Sequence, residues 1–230
     1  MKRFLLLTGI VLVSACRPSG HPTLLQPGEG CEYASYLGIL TSDDDSLDVR
    51  GVVSVSPGNG ACDTLFLDRP LESIVCMSSS SVAALSSIGA ESHITGVSGL
   101  KYISDEKIHR MADEEQIFDI GYESSLDYET LVRLSPDLVV AYTVGDSEPP
   151  YLAKLRNLGF KVFIIYDHLE QHPLARAEYV RLFGALTGRL PQADKFFNEV
   201  KDRYLSLCVD MLESPVRVLM NIPYADAWYV

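Results

Sequence analysis

From Pro70 onward the chain alternates short apolar runs with helical segments, and this alternation constrains the fold more than any other feature. The runs are Ile74 to Met77, Ile94 to Val97, Ile117 to Ile120, Leu138 to Tyr142 and Val162 to Tyr166, at intervals of roughly 20 to 25 residues. Between them lie Val82 to Ile88 closed by Gly89, Tyr128 to Leu134 closed by Ser135-Pro136, and Tyr151 to Leu158 closed by Gly159. Glycine just past a helix and proline just beyond it are stop signals with a steric cause. Strand, helix, strand at this spacing predicts βα units on a mainly parallel sheet, an α/β fold.

Two longer helices are expected next, from about Pro173 to Leu186 and from about Pro191 to Leu212. In the second, Ala193, Phe197, Val200, Tyr204, Leu207 and Met211 recur at alternating steps of three and four. That places one apolar stripe along about 30 Å of helix at 1.5 Å per residue, long enough to brace two lobes. A new strand begins at Val216 to Asn221, and the sequence stops at Ala227-Trp228-Tyr229-Val230. A strand opening a parallel layer needs neighbours for its backbone groups, so a second lobe is expected that this sequence only begins.

Upstream, Tyr33 to Leu40 and Val49 to Val55 are separated by Asp43-Asp44-Asp45 and followed by Pro57-Gly58-Asn59-Gly60, the marks of a small β-hairpin region. At the start, Lys2 and Arg3 precede an apolar run from Phe4 to Val13 and the small-residue site Val13-Ser14-Ala15-Cys16. This run is too short for a bilayer core of roughly 30 Å, which takes about 20 residues, and reads as a signal segment. It resembles a lipoprotein lipobox, which implies a diacylated Cys16 at the mature N-terminus and an extracytoplasmic, lipid-anchored protein; an ordinary secretory signal with a chance cysteine is the alternative. No later apolar run is long enough to span a bilayer. The expected organisation is a signal segment at 1–15, a Pro- and Gly-rich tether at 16–30 and the hairpin region at 31–70. An α/β lobe at 71–172, helices at 173–213 and the start of a second lobe at 214–230 complete it.

At a formal charge of −12 nucleic acid is a poor candidate partner, because a binder needs a basic stripe to displace counterions. The cysteines other than Cys16 are Cys31, Cys62, Cys76 and Cys208, which match no zinc spacing. Cys31 and Cys62 lie in the same early segment and could pair in an oxidising compartment, whereas Cys76 and Cys208 read as core residues. No GxSxG, HExxH or GxxxxGK(S/T) motif occurs, so covalent, metalloprotease and nucleotide chemistry lack their signatures, and no catalytic residue is assigned. His168 and His172 are four apart, but Pro173 places both ahead of the helix, so no metal site is assigned.

Several segments together resemble the substrate-binding proteins of ABC importers for cobalamin and iron complexes. They are Ile74 through Gly96-Val97-Ser98, Asp127-Tyr128-Glu129-Thr130-Leu131 leading into Leu134-Ser135-Pro136-Asp137-Leu138-Val139-Val140-Ala141, and Leu155 to Phe163. The resemblance covers roughly residues 70 to 225. It implies two α/β lobes joined by one rigid helix, here Pro191 to Leu212, with the ligand held between them and no bond made or broken.

Parallel sheets bind ligands at the carboxyl ends of their strands. The candidate contacts are therefore the loops Ser78 to Ser81, Ser98 to Tyr102, Gly121-Tyr122, Tyr142-Thr143 and Tyr166 to His168. Within them Ser78, Ser79 and Ser80 offer hydroxyls and N–H groups at a helix start; plain N-capping is the alternative. The resemblance implies that Tyr102, Tyr122 and Tyr142 flank a large planar ligand, with packing of half-buried tyrosines as the alternative. His168 is the remaining ligand candidate.

Glu129 falls where cobalamin-binding members place a glutamate that docks on permease arginines, with a solvated helical glutamate as the alternative. The partners so implied are an ABC permease with its ATPase, membrane lipid through Cys16, and a small-molecule ligand. Cobalamin or a ferric siderophore is the expected cargo, and no resident cofactor is expected. Haem, a bare transition metal, or a surface lipoprotein with no transport role are the other readings.

Overall fold

The computed structural model describes Gly28 and residues 30–42, 49–144 and 148–207. The signal segment, Cys16, nearly all of the tether, Cys208 and the strand expected at Val216 to Asn221 lie outside the described residues.

Two sheets form. Strands β1 (Leu37–Thr41), β2 (Val49–Val55) and β3 (Cys62–Phe66) make an antiparallel sheet in that order. Strand β3 goes beyond the hairpin expected at 31–70. It is an edge strand with Cys62, Thr64 and Phe66 exposed, so it lacks the apolar run that marks a strand in sequence.

The second sheet is wholly parallel. Its strands are β4 (Ile74–Cys76), β5 (Ile94–Val97), β6 (Phe118–Asp119), β7 (Leu138–Tyr142) and β8 (Val162–Ile165), in the order β6-β5-β4-β7-β8. Helices α1 (Ser79–Ser87), α2 (Glu106–Asp113), α3 (Tyr128–Leu134) and α4 (Pro150–Asn157) connect them, and α5 (Pro173–Thr187) and α6 (Leu190–Leu207) follow. Each of the five apolar runs from Ile74 to Tyr166 is a strand of this sheet, with bounds within a residue or two of those expected. Helix α2 fully buries only Ile108, and its apolar face of Ile108, Met111 and Ala112 spans little more than one turn, too short to mark a helix in sequence.

The sheet is covered on both faces, which explains why its strands read as unbroken apolar runs. Ile74, Cys76, Leu138, Val140, Phe163 and Ile165 point to one side, into a core closed by α1, α5, α6 and the antiparallel sheet. Val75, Met77, Val139, Ala141 and Ile164 point to the other, against Leu131 of α3 and Leu152 and Leu155 of α4. The two sets alternate along each strand, as the pleat requires. Burying each such aliphatic side chain stabilises the fold by about 1.5–3 kcal/mol.

Helix ends follow local chemistry. Asp105 caps α2 by accepting from Lys107 N at 2.8 Å, and Asp127 caps α3 by accepting from Thr130 N at 3.0 Å. Ser135 ends α3 in the left-handed region at φ 44°, directly before Pro136.

Helix α5 ties the structure together. Its Glu178 is fully buried and accepts from the backbone N–H groups of Glu32, Tyr33 and Ala34 at 2.7, 2.7 and 2.8 Å. Glu170, just ahead of α5, accepts from Ser35 N and Tyr36 N at 2.8 and 2.9 Å. Arg181 donates to Glu178 at 3.0 Å, to the Gly30 carbonyl at 2.7 Å and to Asp194 of α6 at 2.6 Å. Two buried carboxylates thus hold the segment that enters β1, and one guanidinium links it to α6.

Cys31 and Cys62 are free thiols, so the structure does not contain the pairing considered from sequence. Cys31 packs at the core beside Glu178, and burial followed by that carboxylate pushes its thiol up to about 12, whereas Cys62 is exposed at the start of β3. Cys76 is buried in β4.

Candidate functional site

Strand order fixes where a ligand can sit. The chain moves outward from β4 through β5 to β6, then crosses back to add β7 and β8 on the other side. At such a reversal the loops at the carboxyl ends of the central strands part, leaving a crevice. Here a basin of about 410 Å³ lies at that edge.

Its walls come from all five loops singled out by sequence. Ser78, Ser79 and Ser80 follow β4, Ser98 and Tyr102 follow β5, Tyr122 follows β6, Tyr142 ends β7, and Asp167 and His168 follow β8. The structure therefore brings all seven sequence-named ligand candidates to one concavity. Met77 and Arg176 complete it. Arg176 was missed because it belongs to α5, where nothing in sequence distinguishes it from a solvated helical cation. It reaches the basin by donating to the carbonyls of His168 and Glu170, both at 3.1 Å. The basin is thus less poor in arginine than the loops alone imply.

Of the serines, Ser78 acts as a helix cap. Ser78 is the N-cap of α1, accepting from Ser81 N at 3.3 Å, and its Oγ lies 3.0 Å from Ser80 Oγ and 2.8 Å from Ser81 Oγ. Ser79 and Ser80 are exposed at the rim.

The tyrosines are arranged by their neighbours. Asp119 at the end of β6 accepts from Gly99 N and Leu100 N at 3.1 Å and from Gly121 N at 3.0 Å, joining the loops that carry Tyr102 and Tyr122. Ser98 Oγ donates to the Gly121 carbonyl at 2.9 Å. The two rings meet edge to face with centroids 5.6 Å apart. A Cβ at Gly99, whose φ is 72°, would come within 2.7 Å of Tyr122 and 2.9 Å of Tyr102, so only glycine permits this pair. Tyr102 and Tyr122 are 58% and 45% exposed, so they are not core residues that happen to be aromatic.

On the opposite wall Tyr142 meets His168 edge to face at 5.9 Å. His168 Nδ1 is 3.7 Å from the Asp167 carboxylate and makes no hydrogen bond among the described residues. His172 does not join it. As N-cap of α5, His172 accepts from Leu174 N at 3.1 Å and stacks on Tyr33 at 5.1 Å. Among the described residues no group of three or more His, Cys, Asp or Glu could hold a metal ion. Glu129 is exposed in the first turn of α3.

The fold and this crevice define a class, α/β proteins that hold a solute against the carboxyl edge of a parallel sheet. A family model described as Periplasmic binding protein matches residues 74–226, and the chain belongs to that family, whose members bind solutes and are not enzymes. The match begins at β4, so the antiparallel sheet lies ahead of it.

The uncharacterized lipoprotein MJ0878 of Methanocaldococcus jannaschii is 26% identical over 168 residues, which are 70% of this chain and 40% of that protein. A periplasmic binding protein from Veillonella parvula superposes with a TM-score of 0.51 at 15% identity, covering 69% of this chain and 52% of that one. The petrobactin-binding protein YclQ from Bacillus subtilis superposes with a TM-score of 0.50 at 12% identity, covering 69% and 51%. At these identities the superpositions show the fold alone. This chain spans less than half the length of the curated relative. Among the described residues no helix is long and apolar enough to cross a membrane.

Proposed function

We propose that this protein is an extracytoplasmic solute-binding lipoprotein that captures a cobalamin or ferric-siderophore type complex and delivers it to an ABC permease with its ATPase. The observation that carries this reading is the convergence of Ser78, Ser79, Ser80, Tyr102, Tyr122, Tyr142 and His168 on one basin at the sheet reversal. Exposed aromatic faces suit a large planar or ring-bearing complex, because they bury apolar area while hydroxyl edges stay available for hydrogen bonds. Arg176 admits a partly anionic ligand without making the basin strongly cationic.

In this reading residues 71–172 form one lobe, 173–213 carry the helices that brace a second, and 214–230 begin it. The segment 1–15 is removed and Cys16 carries the lipid, in keeping with the lipoprotein name of the Methanocaldococcus relative. Glu129 meets the permease, where a carboxylate against a guanidinium fork forms a charge-assisted, orienting contact.

Calorimetric titration with cyanocobalamin and with a ferric siderophore tests the capture step. Saturable binding of one of them is expected, weakened about tenfold or more by Tyr142→Ala, a loss of about 1.4 kcal/mol. Glu129→Arg should leave that affinity unchanged and abolish uptake in cells carrying the permease. Failure of both ligands to saturate overturns the cargo assignment, and undiminished uptake by Glu129→Arg overturns the docking role.

A further inference from the structure

A second concavity, about 670 Å³ against about 410 Å³ for the basin, opens between the β2–β3 hairpin and the edge strand β8. Its volume falls within the range of small-molecule sites, roughly 300–1,000 Å³. One wall is not part of the family-matched segment at all, since Ser54 and Asp63 precede residue 74.

Ser54 and Asp63 are paired across β2 and β3, so their side chains share a face. Ser54 is 2% exposed, and its hydroxyl has no hydrogen-bond partner among the described residues. A hydroxyl removed from water without a partner is costly, and here it borders a groove able to supply one. Val162 and Ile164 of β8 form the facing wall and are aliphatic.

The charges of the lining select among ligands. Arg156 of α4 is ion-paired with Glu148, so among the described residues the one guanidinium in the lining is already engaged. Asp63 remains, half-buried; burial raises its carboxyl pKa, and Arg156 only partly offsets this. An anion would face two carboxylates against that one engaged cation. A neutral polyol could bond to Ser54 but would leave the Asp63 charge desolvated and unmatched. An ammonium group offers three donors and the missing charge.

We propose that this groove binds a small organic cation, a primary amine on an aliphatic stem, with Asp63 as counter-ion, Ser54 accepting a second hydrogen bond and the stem lying along Val162 and Ile164. The proposal is independent of the cargo assigned to the basin.

Titration of the full chain with 1-aminopentane at fixed ionic strength tests it, with Asp63→Asn, Ser54→Ala and the exposed control Asp68→Asn compared at matched urea midpoints. One-site saturation is expected, weakened at least tenfold by Asp63→Asn and about threefold by Ser54→Ala, and unchanged in Asp68→Asn. Absence of saturation overturns the proposal. So does equal weakening by Asp63→Asn and Asp68→Asn, which marks general attraction to an acidic surface. Saturation by sorbitol or citrate in place of the amine also contradicts it.

Discussion

Glu178→Ala is expected to destabilise the protein by about 3–5 kcal/mol, the cost of removing one partner from a buried, charged hydrogen-bond network. Three backbone N–H groups and the Arg181 guanidinium converge on this fully buried carboxylate. Removing it leaves the buried Ala34 N–H without its acceptor, takes theirs from the less buried N–H groups of Glu32 and Tyr33, and leaves Arg181 with only Asp194 and the Gly30 carbonyl. Glutamine is no remedy. Its single carbonyl oxygen can replace either Oε1, which serves Glu32 N and Arg181, or Oε2, which serves Tyr33 N and Ala34 N, while its amide turns a donor toward the other pair. Urea unfolding should show a lowered midpoint for both variants. Amide exchange of residues 32–34 should rise well before that of β4 and β7, because those N–H groups lose their acceptor directly.

Gly184→Val is expected to cost about 3 kcal/mol through overpacking of α5 against α6. A Cβ at Gly184 would stand 2.5 Å from the Ala193 Cβ, 3.0 Å from the Arg189 carbonyl oxygen and 3.1 Å from the Leu190 Cα. Two of these neighbours are backbone, so the helices must separate. Leu190, Ala193 and Phe197 are the buried residues of α6, all within its first eight positions. Separation at Gly184 therefore loosens the root of the helix that would carry a second lobe. The urea midpoint of Gly184→Val should fall with the slope unchanged. A variant as stable as the parent would show that the two helices are not held by this contact.

The parallel sheet was legible because strands covered on both faces need short apolar runs, and Leu138 to Tyr142 or Ile94 to Val97 recur between helix stop signals at the spacing of βα units. Strand β3 was not legible because, at the sheet edge, it exposes every second residue, and helix α2 because its apolar face of Ile108, Met111 and Ala112 spans little more than one turn. The basin was legible for a positional reason: ligand loops follow strands, so Ser78, Tyr102, Tyr122, Tyr142 and His168 could be named once the strands were placed. Arg176 could not, because its route to the basin runs through the carbonyls of His168 and Glu170, a tertiary contact. The Glu178 clamp spans 144 to 146 positions in sequence and leaves no local trace beyond a glutamate in a helix. The groove beside β8 likewise needs two sheets brought together by packing, which no segment announces by itself.

The central claim, that a solute is held at the carboxyl edge of the parallel sheet, is tested most directly by an amide-exchange footprint of the full chain with and without saturating cyanocobalamin or ferric siderophore. Slowed exchange is predicted in the segments 77–81, 98–102, 121–122, 142–143 and 166–168, with residues 52–64 unchanged. Saturable binding with no slowing in those loops, or with slowing confined to other parts of the chain, would contradict the account.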